Sequence, residues 1–209
     1  MEKKITITHG HPYVEIGGIK WATMNVGAKN ATDPGLYFAW GETKGYSRED
    51  ALNRKKFSRK NYKFWDNNKN YISKYNSKDK LTTLQPQDDP VKVNWRGNWR
   101  LPTKDEFLHL INSTNHQFVD NYQGRNARGV VLTDKNNNSL ELFMPFSGYV
   151  LENYIATSSG FYWTSNLLTG RYNCNYNHGI NLYFSNHEFI GTVANDRYIG
   201  FTVRGVLDD

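Results

Sequence analysis

Few side chains in this 209-residue chain are spaced for bond-making chemistry. Cys174 is the single cysteine, so an intrachain disulfide, a cysteine-based zinc site and a two-cysteine redox centre are all excluded. His9-Gly10-His11 offers two imidazoles with no carboxylate or thiol beside them, too few ligands for a metal, and reads as a flexible end. The carboxylate pairs Asp88-Asp89 and Asp105-Glu106 stand where helices begin, where a negative charge favours the helix dipole. His109 falls on the solvent edge of a helix. No G-x-S-x-G elbow, H-E-x-x-H pair or phosphate-binding loop occurs. The expectation is a protein that is not an enzyme, with no cofactor and no metal.

Binding chemistry is better represented. The run Arg171-Tyr172-Asn173-Cys174-Asn175-Tyr176-Asn177-His178 is rich in types that make contact surfaces. Tyrosine gives rigid area at small entropy cost, while Asn and His give adaptable hydrogen bonds. The candidate ligand-binding residues are Tyr172, Asn173, Asn175, Tyr176, His178, Tyr183, His187, Asn195, Asp196 and Tyr198. Alanine at Tyr172 and Tyr176 together is expected to abolish binding while leaving the melting temperature unchanged. A second candidate lies earlier. Lys55, Lys56, Arg59, Lys60, Lys63, Lys69 and Lys74 interleave with Phe57, Tyr62, Phe64, Trp65, Tyr71 and Tyr75. Cations among rings can hold single-stranded nucleic acid or an anionic polysaccharide. The alternative reading is therefore a nucleic-acid or anionic-polymer binder using residues 44–80.

These residues need a frame. At 209 residues one domain is expected, able to bury roughly 70% of its unfolded surface. Six Trp, fourteen Tyr and eleven Phe supply its apolar area. No apolar run of membrane-spanning length exists, and the first residues carry no signal-peptide pattern. The net charge of +6 is unevenly placed: no Lys follows Lys135. Short strands are expected at Tyr13–Ile16, Ile19–Ala22, Leu36–Trp40, Gly129–Thr133, Ser139–Met144 and Tyr162–Ser165. Ile180, Leu182 and Phe184 alternate with Asn181, Tyr183 and Ser185, predicting one buried and one wet face. Phe201, Val203 and Gly205 repeat that pattern against Thr202 and Arg204. Asp89-Pro90 can open a short helix to Trp95. Thr103-Lys104-Asp105-Glu106 spells a capping box for a second helix ending near Asn112. Residues 42–87 lack a sustained period and read as a long polar, basic insertion, an excursion from the core partly pinned to it by Phe57, Tyr62, Phe64, Trp65, Tyr71 and Tyr75. Trp95, Trp99 and Trp163 read as core.

Five phrases, in order, resemble one family. They are Gly35-Leu36-Tyr37-Phe38-Ala39-Trp40-Gly41-Glu42-Thr43, the stretch Trp95 to Phe107 with Leu101-Pro102-Thr103 inside it, Met144 to Tyr149, Gly160 to Ser165, and Arg197 to Val206. Together they resemble the Fibrobacter succinogenes major paralogous domain of gut Bacteroidetes. That family is related to the C-type lectin fold and to the formylglycine-generating-enzyme fold. The resemblance implies an α+β, C-type lectin-like domain over residues 1–209, with short antiparallel strands and two helices. The enzyme branch uses a cysteine pair, which a lone Cys174 cannot supply. Gln85-Pro86-Gln87-Asp88 and Trp65-Asp66-Asn67-Asn68 look like lectin calcium motifs, but they precede the Leu101-Pro102-Thr103 helix and stand in reversed order.

Composition carries a further resemblance. From Thr164 to Asp209 there is no Lys, Gln, Met or Trp and one Glu, Glu188. Those five types are the ones unreachable by changing the adenines of an AAC or AAT codon. Residues 161–206 thus resemble the variable region of a diversity-generating retroelement protein. In that class a C-type lectin scaffold displays diversified side chains on phage tail tips or bacterial surfaces. The resemblance implies a macromolecular ligand, protein or glycan, on a cell or phage surface, no membrane insertion by this chain, and an extracellular, cell-surface or virion location.

Overall fold

The computed structural model describes residues 6–8, 10–169, 176–185 and 189–209. In chain order its strands are β1 (Thr6–Thr8), β2 (His11–Ile16), β3 (Ile19–Asn25), β4 (Trp65–Asp66), β5 (Tyr71–Ile72), β6 (Trp99–Arg100), β7 (Thr114–Val119), β8 (Gly129–Asp134), β9 (Glu141–Pro145), β10 (Tyr149–Leu151), β11 (Tyr154–Ala156), β12 (Ser159–Leu167), β13 (His178–Ser185), β14 (Ile190–Asp196) and β15 (Arg204–Leu207). The helices are α1 (Arg48–Asn53), α2 (Pro90–Trp95) and α3 (Lys104–Ser113). Mostly strands with a few helices, this is an α+β protein.

One sheet runs β1-β2-β3-β15-β6, so strands from the two ends of the chain lie side by side. Two three-stranded sheets, β7-β8-β9 and β12-β13-β14, are consecutive antiparallel meanders. Helix α3 packs over the last of these, and its buried Phe107 and Leu110 share a core with Trp21, Val130, Leu132, Tyr162, Leu182 and Phe184. The capping box is formed: Thr103 Oγ1 accepts from the Glu106 amide, and the Glu106 carboxylate accepts from the Thr103 amide. Helix α2 begins at Asp89, whose carboxylate accepts from Val91 and Lys92. It also accepts from the Leu101 amide, tying α2 to the strand that leads into α3.

Several expectations are corrected. Residues 42–87 are pinned by their rings as expected, but more fully than a partly tethered excursion. Phe57, Tyr62, Phe64, Ile72 and Tyr75 are buried in a second core with Trp40, Trp99, Trp163 and Phe201. The segment also forms α1, capped by Ser47, so there are three helices where two were expected. Its polar residues hid this because they serve turns while the rings point inward. Leu36–Trp40 is extended but meets partners singly, Tyr37 with Tyr46 and Phe38 with Phe201. Gly35 and Gly41, both at positive φ, turn the chain at either end before a ladder can form. The face of β13 expected to be wet is largely covered: Asn181 is 0% and Ser185 4% exposed, and Tyr183 between them is half-buried. Thr202 and Arg204 are likewise fully buried. Thr202 Oγ1 donates to the Phe161 carbonyl, and Arg204 donates to Asn25 and to the Ala22 carbonyl. These bonds remove the cost of burying polar groups. His11 belongs to a strand, not a flexible end, and stacks on Trp95 at 4.1 Å. Trp99 and Trp163 are core, while Trp95 is half-buried.

Candidate ligand-binding site

Of the ten candidate residues, Tyr172, Asn173, Asn175 and His187 lie outside the described residues. The other six, Tyr176, His178, Tyr183, Asn195, Asp196 and Tyr198, are all half-buried. Strand pairing brings most of them together. His178 sits opposite Asp196 and Gly179 opposite Asn195 in the β13–β14 ladder. His178 Nε2 is 3.5 Å from an Asp196 oxygen, and Tyr198 Oη donates to the other at 2.7 Å. Burial, and then this bond, push the Tyr198 hydroxyl above its ordinary pKa. Asn195 donates to the buried Asn181.

Tyr183 stands apart, in a chain of rings. Its neighbours are Phe161 at 4.9 Å and Phe189 at 5.6 Å, and Phe161 continues to Tyr149 and Tyr154. The ends of this chain, Tyr154 and Phe189, are exposed. An aromatic band therefore crosses the surface of the late strands.

The structure also joins the two segments that the sequence offered as rivals. A groove of about 560 Å³ is lined on one side by Tyr176 and Asn177, and on the other by Trp65, Asn70, Tyr71 and Lys78. It continues past Ile72 and Asn177 into a cleft bounded by Arg59, Asp196 and Tyr198. The opposing wall is shaped by local turns. Asp66 accepts from the Asn68 and Lys69 amides, and Asp79 from the Tyr75, Asn76 and Leu81 amides. Asn70 and Tyr176 both hold left-handed backbone, at φ 56 and 54, an arrangement that side chains other than glycine rarely keep without a constraint around them.

At Tyr176 the constraint is Arg197, which bonds its carbonyl, whereas Asn70 sits in a local turn closed by its own amide on the Asp66 carbonyl. The Arg197 guanidinium is fully buried and spans both walls, donating to the carbonyls of Lys74, Tyr75 and Tyr176 and to Tyr62 Oη. The rings of Trp40, Tyr62, Phe64 and Tyr75 surround it at 4.7–5.7 Å. Burial lowers its pKa, and the hydroxyl and ring faces offset that penalty. Nothing in the sequence marks this role: a lone Arg before a strand-like phrase carries no spacing signal.

The cations of the middle segment divide by partner. Lys56 pairs with Glu42, and Lys63 and Lys74 both pair with Asp88. Arg59 instead lies over Trp65 at 5.2 Å and Tyr198 at 5.7 Å, and Lys78 over Tyr71 at 5.5 Å. The interleaved rings and cations are therefore no continuous track. Four of the six rings serve the core, and Arg59 and Lys78 are left at the groove.

Among the described residues, no group of three or more His, Cys, Asp or Glu could hold a metal, and no helix is long and apolar enough to cross a membrane. Comparison with protein-family models, with curated proteins and with solved structures finds no match to this chain.

Proposed function

We propose that this is a non-enzymatic recognition protein, a C-type lectin-like frame that presents its late segment to a macromolecular ligand on a cell or phage surface. The observation that carries the reading is an alternation along residues 176–204. Tyr176, His178, Tyr183, Asn195, Asp196 and Tyr198 keep part of their surface open, while Asn181, Leu182, Phe184 and Arg197, interleaved with them, and Thr202 and Arg204, which follow, are locked inside. A binding face carried on a rigid sheet has that pattern. The order of the five family-like phrases supports the lectin-like frame, as does an α+β architecture whose first and last strands share a sheet. The codon-restricted composition supports diversification of the late segment by a retroelement, and with it an extracellular, cell-surface or virion location.

The reading is tested with labelled protein on a panel of intact gut bacterial cells and phage particles. Wild-type protein is expected to decorate a subset of them. Tyr176→Ala with Tyr198→Ala is expected to remove at least nine-tenths of the signal and shift the melting temperature by less than about 3 °C, a change of about 1 kcal/mol for a chain of this size. No decoration, decoration indifferent to the double substitution, or an unfolded double variant overturns it.

A further inference from the structure

We infer that the groove between the late segment and the β4–β5 hairpin takes an acidic polysaccharide, a chain of sugars bearing carboxylates. The inference rests on the recognition reading above and names the ligand class of that face. Three observations support it. First, the rings of Trp65, Tyr71 and Tyr176, all half-buried, line one cavity. Half-open rings beside water offer stacking area for the C–H face of a sugar. Second, the charge on offer is positive. Lys78 lines the groove and Arg59 the adjoining cleft, and both lean on aromatic rings with no carboxylate among the described residues paired to either. The carboxylates of Asp66 and Asp79 are turned onto backbone amides. Third, apart from the buried Ile72 the rest of the lining is amide and hydroxyl, including Asn70 and Ser77, both exposed, which suits sugar hydroxyl groups.

The same inventory disfavours a nucleic acid. A phosphate backbone carries a charge at every step and is held by a row of cations. Among the described residues two cations stand at the groove, Lys78 on its lining and Arg59 in the adjoining cleft, where Asp196 also stands. A carboxylate repels phosphates but accepts well from sugar hydroxyls. A uronate chain has one charge per acidic sugar and many hydroxyls, matching a site of few cations and many neutral polar groups. The volume, about 560 Å³, falls in the range of small-ligand sites, roughly 300–1,000 Å³, and leaves room for a short run of sugars.

Titration calorimetry at 150 mM NaCl tests the assignment with oligomers of galacturonate, alginate and hyaluronan, methyl-esterified galacturonate oligomers as the uncharged control, and oligo-deoxythymidylate. At least one acidic oligomer is expected to bind. Esterification or Lys78→Gln is expected to weaken binding about ten-fold, and Trp65→Ala at least ten-fold, with circular dichroism unchanged. The assignment is overturned if none of the three acidic oligomers binds, if the ester binds as well as the acid, or if oligo-deoxythymidylate binds more tightly with a steep salt dependence. The two readings fail separately. If no acidic oligomer binds but Tyr176→Ala with Tyr198→Ala still strips the protein from cells, recognition stands and the glycan assignment falls.

Discussion

Arg197 shows how much a single side chain can organise. It carries a charge into the interior with no carboxylate of the described residues in ion-pair contact, Asp79 acting on it only from a distance, and four oxygens and four rings stand in for one. Because those oxygens come from residues 62, 74, 75 and 176, the same side chain holds the two walls of the groove at a fixed separation. Arg197→Met is expected to cost about 3–5 kcal/mol in urea unfolding, since it strands buried acceptors. Arg197→Lys keeps the charge but cannot reach both walls, and is expected to recover less than half of that loss. Asp88 offers a pH test. Burial alone raises its pKa, yet bonds from Lys63, Lys74 and Tyr75 outweigh that and hold the carboxyl below its ordinary value. A carboxyl depressed in the folded state stabilises fully above its unfolded pKa of about 4, and the benefit fades as pH falls through the folded value. Asp88→Asn is expected to cost about 2 kcal/mol at pH 7, discounted because Lys63 is half-exposed, and progressively less as pH falls below the unfolded value and through the lower folded one. Chemical denaturation at a series of pH values reads both arms.

At the scale of elements, local chemistry and distant packing part company. The α3 capping box was legible because a Thr and a Glu three residues apart satisfy each other's neighbours without help from the fold. Thr103→Ala is accordingly expected to cost about 1 kcal/mol by thermal unfolding, with no effect on ligand binding. The α2 start at Asp89-Pro90 and the β8–β9 hairpin were readable on the same ground. The middle segment was not. Its rings were expected to pin it to the domain, and they do, but which four of the six go fully inward is decided by contacts across the chain, such as Tyr75 Oη to Asp88 and Tyr62 Oη to the Trp40 carbonyl. Strand β13 failed for the same reason. Alternation assumes a sheet open on one side, and Asn181 and Ser185 are covered on theirs. The candidate site divides likewise. Tyrosine and asparagine content located the late segment, but its opposing wall, Trp65, Tyr71 and Lys78, could be joined to it only by the fold.

For the whole molecule, the claim is that folding and recognition are assigned to different positions of one short stretch. Gly179 and Tyr176 make the contrast. At Gly179 a Cβ would stand 2.7 Å from Trp40, so any side chain there displaces the core. Tyr176 is half-open at the groove mouth, and its backbone carbonyl, not its ring, meets Arg197. Neighbouring codons could vary equally under adenine-directed diversification, yet their structural consequences differ in kind. A library is expected to show this directly. With positions 176, 178, 183, 195 and 198 drawn from the amino acids reachable from an asparagine codon, most members should stay within about 1 kcal/mol of the parent, since half-open sites tolerate change. The same alphabet at 163, 179, 181, 197 and 204 should unfold most members, each substitution opening a cavity, overpacking or stranding a buried polar group at about 3 kcal/mol or more. Protease resistance on a display surface, followed by sequencing, separates the two sets. If the outer positions prove as intolerant as the inner ones, the late segment is core and the division of labour does not exist.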